Sequence, residues 1–336
     1  MIKDVIAKLA DNEEITSEEC KSVANEILGG EATPCQIAGF ITALRCRGEQ
    51  IEHIVPFVEV MREKMEPFNS PDGVILDIVG TGGDCTGTFN ISTTAAIIAA
   101  GAGVRVAKHG NRAVSSSCGA ADVLKALGVN TEAPIAVQEK CLEEIGLCFL
   151  FAPVFHSAMK HAVQPRKELG IRTIFNMIGP LCNPAQATNY VVGVYSNTLT
   201  ETFARVLGEL GCERALVVHG SDGMDEFTTT TTTTVAELDG DTIETHVYDP
   251  GDFDLSPANM QELLGGDAET NAEIVRGVLT GQWGETTDIA VLNAGAAIYA
   301  AGAAESIREG MSIARKSIES GAAMEKIEAL SEMTNQ

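Results

Sequence analysis

A chain of 336 residues, 45% of them apolar, can bury one large core or a large core with a smaller one beside it. Its 23 basic against 47 acidic side chains leave a net charge of −24, which repels nucleic acid and anionic membrane surfaces at long range. An anionic substrate must therefore be held by local cations, oriented amides or a metal ion, and the acidity itself fits an ordinary soluble enzyme as well as a salt-adapted one.

The first elements are all helical. Ile2, Val5, Ile6 and Leu9 recur at helical spacing, and Thr16 with Glu19 has the form of a capping box that opens a helix ending at Gly29-Gly30. Thr33-Pro34 opens a third helix, with Ile37, Phe40, Ile41 and Leu44 on one face and Gly48 at its end; Ile51 to Met65 makes a fourth. A small all-helical domain over 1–68 follows. Its apolar faces exceed what so short a unit hides, so they are expected to meet the rest of the chain or a second subunit. Residues 66–73, Glu66-Pro67-Phe68-Asn69-Ser70-Pro71-Asp72-Gly73, have the composition of a hinge loop.

Beyond the hinge, strands are predicted at 74–79, 104–107, 147–151, 190–195, 214–219 and 243–248. Helices are predicted at 91–101, 120–127, 199–210, 271–280, 287–301 and 304–320. This alternation predicts an α/β domain over 74–336, with a largely parallel central sheet flanked by helices and a ligand beyond the C-terminal ends of the strands. The segment 155–183 breaks the rhythm and is expected to pack with the helical domain. The threonine run Thr228–Thr234 has high β-propensity, reads as an exposed strand or loop, and receives no chemistry. Nine scattered cysteines with no C-x-x-C pair fit reduced thiols better than disulfides or a zinc site. With no leader and no apolar run of about 18 residues, the expected location is the cytoplasm.

Two short runs carry the chemistry. Gly80-Thr81-Gly82-Gly83-Asp84 follows the apolar stretch Val74–Val79, and such small residues let a backbone approach an anion with its amides turned inward. Glycine runs also mark bare turns, but Thr88, Asn90, Ser92 and Thr93 gather where the helix 91–101 begins, a good phosphate position. The second run, Lys108-His109-Gly110-Asn111-Arg112, lies past the strand 104–107 and leads into Ala113-Val114-Ser115-Ser116-Ser117-Cys118-Gly119. It is either a solvated basic turn or an anion cradle within a negative field. Asp225-Glu226 lie on a loop after the strand 214–219, where carboxylates facing a phosphate cradle can hold Mg²⁺ through oxygen ligands; Asp222 competes for that role on the same loop. Arg166 offers a planar fork suited to a carboxylate, although an isolated helix arginine is more often a surface residue.

With these residues in view, the sequence resembles the anthranilate phosphoribosyltransferase family over nearly its whole length. The resemblance rests on Asp77–Asp84, Phe89-Asn90-Ile91-Ser92-Thr93, Lys108–Ser116, Pro165–Asn176, Gly179-Pro180-Leu181-Cys182-Asn183-Pro184 and Met224-Asp225-Glu226, in this order and spacing. It implies phosphoribosyl pyrophosphate (PRPP) as donor, anthranilate as acceptor, Mg²⁺ as cofactor, and a homodimer paired through the helical domains. It implies donor contacts at Gly80, Gly83, Asp84, Thr88, Asn90, Ile91, Ser92, Thr93, Lys108, His109, Gly110, Asn111, Arg112, Ala113, Val114, Ser115, Ser116 and Ala120. Anthranilate contacts are implied at Gly80, Asn111 and Arg166, and metal contacts at Ser92, Asp225 and Glu226. Lys108, Asn111 and Arg166 would carry catalysis, by stabilising the leaving pyrophosphate and orienting the amine. Ala120 stands where the family usually has serine, which removes a hydroxyl from the donor site. A pyrimidine nucleoside phosphorylase and a nucleic-acid-binding relative are the rival readings. The first needs no Asp-Glu pair, and the net charge of −24 opposes the second.

Overall fold

The computed structural model describes residues 1–84, 86–113 and 117–336, which form two compact units: residues 1–67 with 153–184, and residues 68–152 with 185–336. In the first unit, α1 (Ile2–Ala10), α2 (Ser17–Leu28), α3 (Pro34–Arg47) and α4 (Ile51–Lys64) follow the capping signals closely. Glu19 N donates to Thr16 Oγ1, and Thr16 N donates back to Glu19. Thr33 and Gln36 repeat the box at the start of α3. Two backbone donors at each helix start are thereby satisfied without tertiary help. The chain returns to this unit through α8 (Ala152–Phe155), α9 (Lys160–Leu169) and α10 (Ile174–Ile178). Phe40 stacks on Phe57 at 5.8 Å, and Phe175 of α10 meets Phe57 edge-on at 6.0 Å. Arg62 of α4 reaches Leu181 O with Nε and Nη2, at 3.1 and 2.8 Å.

His156, buried in this unit, has its pKa lowered to about 4, because burial disfavours the imidazolium. The ring is neutral in the fold, whereas the unfolded chain protonates near pH 6.5. Its contribution is therefore intact above pH 6.5 and is lost as pH falls toward 4, at a limiting slope of about 1.4 kcal/mol per pH unit. His156→Gln is expected to flatten the loss of urea midpoint between pH 7 and 5; an unchanged slope would count against this assignment.

The second unit contains, among the described residues, a seven-stranded sheet in the order β3-β2-β1-β4-β5-β6-β7. The strands are β1 (Leu76–Gly80), β2 (Val106–Gly110), β3 (Leu147–Phe151), β4 (Asn189–Gly193), β5 (Arg214–Gly220), β6 (Thr233–Asp239) and β7 (Thr242–Tyr248). The first five run parallel, and β6 and β7 add an antiparallel edge. The mostly parallel sheet is the one the alternation predicts. Parallel strands are covered on both faces, and β3, Leu-Cys-Phe-Leu-Phe, is buried throughout.

Helices α5 (Ile91–Gly101), α6 (Ala120–Ala126), α7 (Ile135–Glu144), α11 (Thr200–Glu209), α12 (Ala268–Leu279), α13 (Glu285–Ala300), α14 (Ile307–Glu319) and α15 (Ala322–Thr334) belong to this unit. Helices α5 and α13 are apolar nearly all round and form its interior. Gly295 and Gly310 let α13 and α14 touch, for a Cβ on Gly310 would lie 2.2 Å from Gly295 O.

Three readings change. The threonine run is not exposed: Thr228, Thr229 and Thr233 are buried, and the run ends inside β6, a strand paired between β5 and β7. Lys108 and His109 lie within β2 rather than past its end, because the strand runs to Gly110. Helices α7 and α15 add to the predicted set. α15 begins after Gly321 in the left-handed region and packs on α5.

Candidate active site

Strand order reverses about β1, which has β2 on one side and β4 on the other. In open α/β sheets the crevice at such a reversal, at the C-terminal ends of the strands, is where ligands bind. Gly80 ends β1 and Gly193 ends β4, directly paired in register. Asp225 lies over both. A Cβ on Gly80 would come within 2.4 Å of Asp225 Oδ2, and one on Gly193 within 1.5 Å of Asp225 O. The two glycines thus make the seat for the acidic loop.

The glycine loop meets that loop directly. Gly82 N donates to Asp225 Oδ2 at 2.8 Å, and Thr81 N donates to Gly193 O at 2.9 Å. Gly82 and Gly83 have φ of 66° and 75°, a region open to glycine at little cost. At the first turn of α5, Ser92 N donates to Glu226 Oε1 at 3.2 Å. Asp84 accepts from Thr86 Oγ1 at 2.5 Å, and Thr88 bridges Leu264 across a short antiparallel contact.

Lys108 joins these parts from beneath. Its side chain is buried, and Nζ donates to Ile78 O at 2.6 Å and Ser92 Oγ at 3.4 Å. Burial lowers its pKa, while Asp77, Glu226 and Asp225 act the other way. Glu226 shows the complementary shift: burial, then the neighbouring Asp225, pushes its carboxyl up to about 8, with Lys108 opposing. Two adjacent carboxylates that burial makes costly to ionise together suit a divalent cation, and Ser92 adds a hydroxyl oxygen nearby. Among the described residues no group of three or more His, Cys, Asp or Glu forms a metal cage. A pair of oxygen-donor carboxylates fits Mg²⁺, which keeps waters and takes substrate phosphates as ligands.

His109 is buried like Lys108, and the run becomes more exposed from Gly110 onward. His109 N donates to Asp77 Oδ1 at 3.1 Å, and Arg112 N donates to Asn111 Oδ1 at 2.7 Å. Asn111 O accepts from Ala121 N at 3.1 Å at the start of α6. Ala113 N and Gly119 N both donate to Asp122 Oδ2, at 3.0 and 2.9 Å. The exposed Arg112 guanidinium pairs with the exposed Glu132 at 2.5 Å and lies 5.4 Å from the centroid of the buried Phe151 ring. Ala120, Ile91 and Thr93 start α6 and α5, with Thr93 buried. Val114, Ser115 and Ser116 lie outside the described residues. Arg166 belongs to the helical unit, where it is half-buried with its guanidinium 5.5 Å from the Phe175 centroid, and burial lowers its pKa.

Some members of this arrangement carry no motif signal of their own. Asn271, on α12, donates from Nδ2 to Asn90 Oδ1 at 2.9 Å and accepts from Gly266 N at 2.7 Å. It thereby fixes which way the Asn90 amide points, and Asn90 Nδ2 is left to donate to Cys118 O at 3.3 Å. Asp77, by contrast, opens the Asp77–Asp84 motif and is the one charged residue in the apolar stretch Val74–Val79.

A family model described as "Glycosyl transferase family, a/b domain" matches residues 72–324, and "Glycosyl transferase family, helical bundle domain" matches residues 3–65. Curated anthranilate phosphoribosyltransferases of Moorella thermoacetica and Geobacter sulfurreducens are 50% and 49% identical to it, covering 98% and 100% of this chain and 97% and 100% of theirs. The chain belongs to the anthranilate phosphoribosyltransferase family. Among solved structures of that family, the Thermus thermophilus member has a TM-score of 0.94 at 42% identity, covering 99% of this chain and all of its own. The Saccharomyces cerevisiae member in complex with PRPP and Mg has a TM-score of 0.90 at 28% identity, covering 99% of this chain and 98% of its own.

Proposed function

We propose that this protein transfers the phosphoribosyl group of PRPP to the amine of anthranilate, giving N-(5-phosphoribosyl)anthranilate and pyrophosphate, the tryptophan-pathway reaction of its family. One observation carries the reading from the family to this chain. The glycine loop, the start of α5, Lys108 and the Asp225–Glu226 pair converge at the reversal between β1 and β4. In this reading Ser92, Asp225 and Glu226 hold Mg²⁺, which when bound offsets the charge that grows on departing pyrophosphate. The carboxylates lie on Gly82 N and Ser92 N, so an anion reaching those amides meets two acids unless a cation lies between.

Lys108 and the loop amides then act on the leaving group, as preorganised charge and dipoles in a water-poor crevice. The anthranilate amine is unprotonated near neutral pH and attacks through its lone pair, so no strong base is needed. Asn111, Gly80 and Arg166 orient the acceptor, with the Arg166 fork on its carboxylate. Residues 66–73 serve as the hinge between the 1–68 domain, with 155–183, and the 74–336 domain. The helical domain pairs two copies into a homodimer. We place the reaction in the cytoplasm, a reading supported by described cysteines that are all free thiols. No helix among the described residues is long and apolar enough to cross a membrane.

The test is direct. Anthranilate fluorescence is expected to disappear when the purified protein meets PRPP and Mg²⁺, with one pyrophosphate released per anthranilate consumed. Phosphate-dependent nucleoside cleavage without Mg²⁺ would instead mark a phosphorylase. Arg166→Ala is expected to raise the anthranilate KM by about 10-fold or more, as loss of a charged hydrogen-bonding partner does, and to leave the PRPP KM within about 2-fold. Equal effects on both constants would remove Arg166 from the acceptor site.

A further inference from the structure

We propose that Asp222 is a positioning residue for the acidic pair and that the threonine run supplies the hydroxyls that hold it. The proposal rests on the reading in which Asp225 and Glu226 hold the metal. Asp222 Oδ1 accepts from Met224 N at 3.0 Å. Its Oδ2 accepts from Thr228 Oγ1 at 2.6 Å and also from Thr230 Oγ1. Both oxygens are thus engaged by donors of its own loop, on either side of Asp225–Glu226.

The threonines are themselves ordered by one another. Thr230 N donates to Thr228 Oγ1 and Thr228 N to Thr233 Oγ1, each at 3.0 Å. Thr233 opens β6, so the clamp is anchored in the sheet. Gly220 N donates to Met224 O at 2.9 Å, and Ser221 N donates to Thr232 O at 2.9 Å, closing the base of the loop. On the other side, Phe227 N donates to Asn293 Oδ1 at 3.0 Å and Asn293 Nδ2 returns to Phe227 O at 2.8 Å. Residues 224 and 227–230 are held, and the two acids between them take their direction from that hold. Asp222, which competes with Asp225 and Glu226 as a ligand by sequence alone, is occupied as an acceptor instead. The run of threonines, which the reaction itself does not use, has a physical task here. A hydroxyl on a short β-branched side chain presents a donor with few rotamers to lose.

The experiment compares Thr228→Val with Thr230→Val, combined, against Thr228→Ser with Thr230→Ser, combined. Two readouts are taken: the Mg²⁺ concentration giving half-maximal activity, and the rise in Tm produced by Mg²⁺ with PRPP in the absence of anthranilate. The valine pair is expected to raise half-saturating Mg²⁺ by about 10-fold, the usual effect of losing an outer hydrogen-bond partner of a metal ligand, and to shrink the Tm rise. The anthranilate KM is expected to stay within about 2-fold, and the serine pair to behave as the wild type. Should the valine pair not fold, Asp222→Asn, which keeps side-chain volume and one acceptor oxygen, carries the same expectation. A valine pair with wild-type Mg²⁺ response, or a serine pair as impaired as the valine pair, overturns the proposal. Asp225→Asn with Glu226→Gln is measured alongside. If that pair leaves the Mg²⁺ response intact, the metal reading fails and this proposal with it; if it abolishes the response while the valine pair titrates normally, only the positioning role fails.

Discussion

Asp225→Asn combined with Glu226→Gln is expected to lower turnover at saturating PRPP and anthranilate by at least about 10²- to 10³-fold, the cost of losing preorganised electrostatic stabilisation, and to leave a residual rate that Mg²⁺ no longer stimulates. The amides preserve side-chain volume and keep an oxygen that can accept from Gly82 N and Ser92 N. What they remove is charge. In the wild type, burial and the neighbouring Asp225 push the Glu226 carboxyl up to about 8, so ionising the pair is costly until a cation offsets it. Neutral amides escape that cost but bind a divalent cation weakly. The Tm of the free variant is therefore expected to stay near the wild-type value, since functional carboxylate pairs are commonly kept at the expense of stability. Steady-state kinetics over a Mg²⁺ titration, with a melting curve of the same preparation, separates lost chemistry from lost fold. Full Mg²⁺ stimulation in the variant would place the metal elsewhere.

Local signals in the sequence are sufficient for most of the scaffold. Thr16 with Glu19 and Thr33 with Gln36 set helix starts through bonds spanning three residues, and such short-range chemistry is visible without a fold. The buried strands at 74–79 and 147–151 announce themselves as apolar runs. The site is legible as motifs but not as geometry. Nothing in the spacing of Gly80, Gly193 and Asp225 says that β1 pairs with β4, and it is that pairing which puts a carboxylate over two glycines.

The threonine run shows the opposite limit. Its composition correctly signals β-propensity, but exposure depends on the strand inserting between β5 and β7, and on Asp222 accepting two of its hydroxyls. Thr228 goes inside because Asp222 waits there for its hydroxyl, and that partner is a tertiary fact. Lys108 likewise has the sequence setting of a loop cation. It proves to be a buried strand residue, because Ile78 O and Ser92 Oγ accept its hydrogen bonds and three nearby acids keep the charge tolerable.

Gly193→Ala is expected to be nearly as damaging as removing the acids, though it deletes no functional group. Its Cβ would lie 1.5 Å from Asp225 O and 2.4 Å from Asp225 C, which are backbone atoms that no rotamer change can withdraw. Either the end of β4 or the acidic loop must move. The end of β4 is tied to its neighbours: Gly193 O accepts from Thr81 N, and Val194 N donates to Val218 O, both at 2.9 Å. The loop is held on either side by Asp222 and Asn293. Whichever yields, Asp225 is displaced relative to the end of β4, and the substitution is expected to cost about 1–3 kcal/mol of stability, as overpacking does. Half-saturating Mg²⁺ is expected to rise by at least about 10-fold and kcat to fall by about 10²-fold, because a displacement of about 1 Å is enough to spoil a reacting geometry. Gly208→Ala is the matched control. Gly208 lies in α11, and its Cβ would make an ordinary 3.5 Å contact with Leu238 of β6. That change is expected to leave kcat and the Mg²⁺ titration untouched and to raise stability by up to about 1 kcal/mol, since alanine favours a helix over glycine. A Gly193→Ala enzyme that titrates with Mg²⁺ like the wild type would show that the contact between β4 and Asp225 does not govern the site.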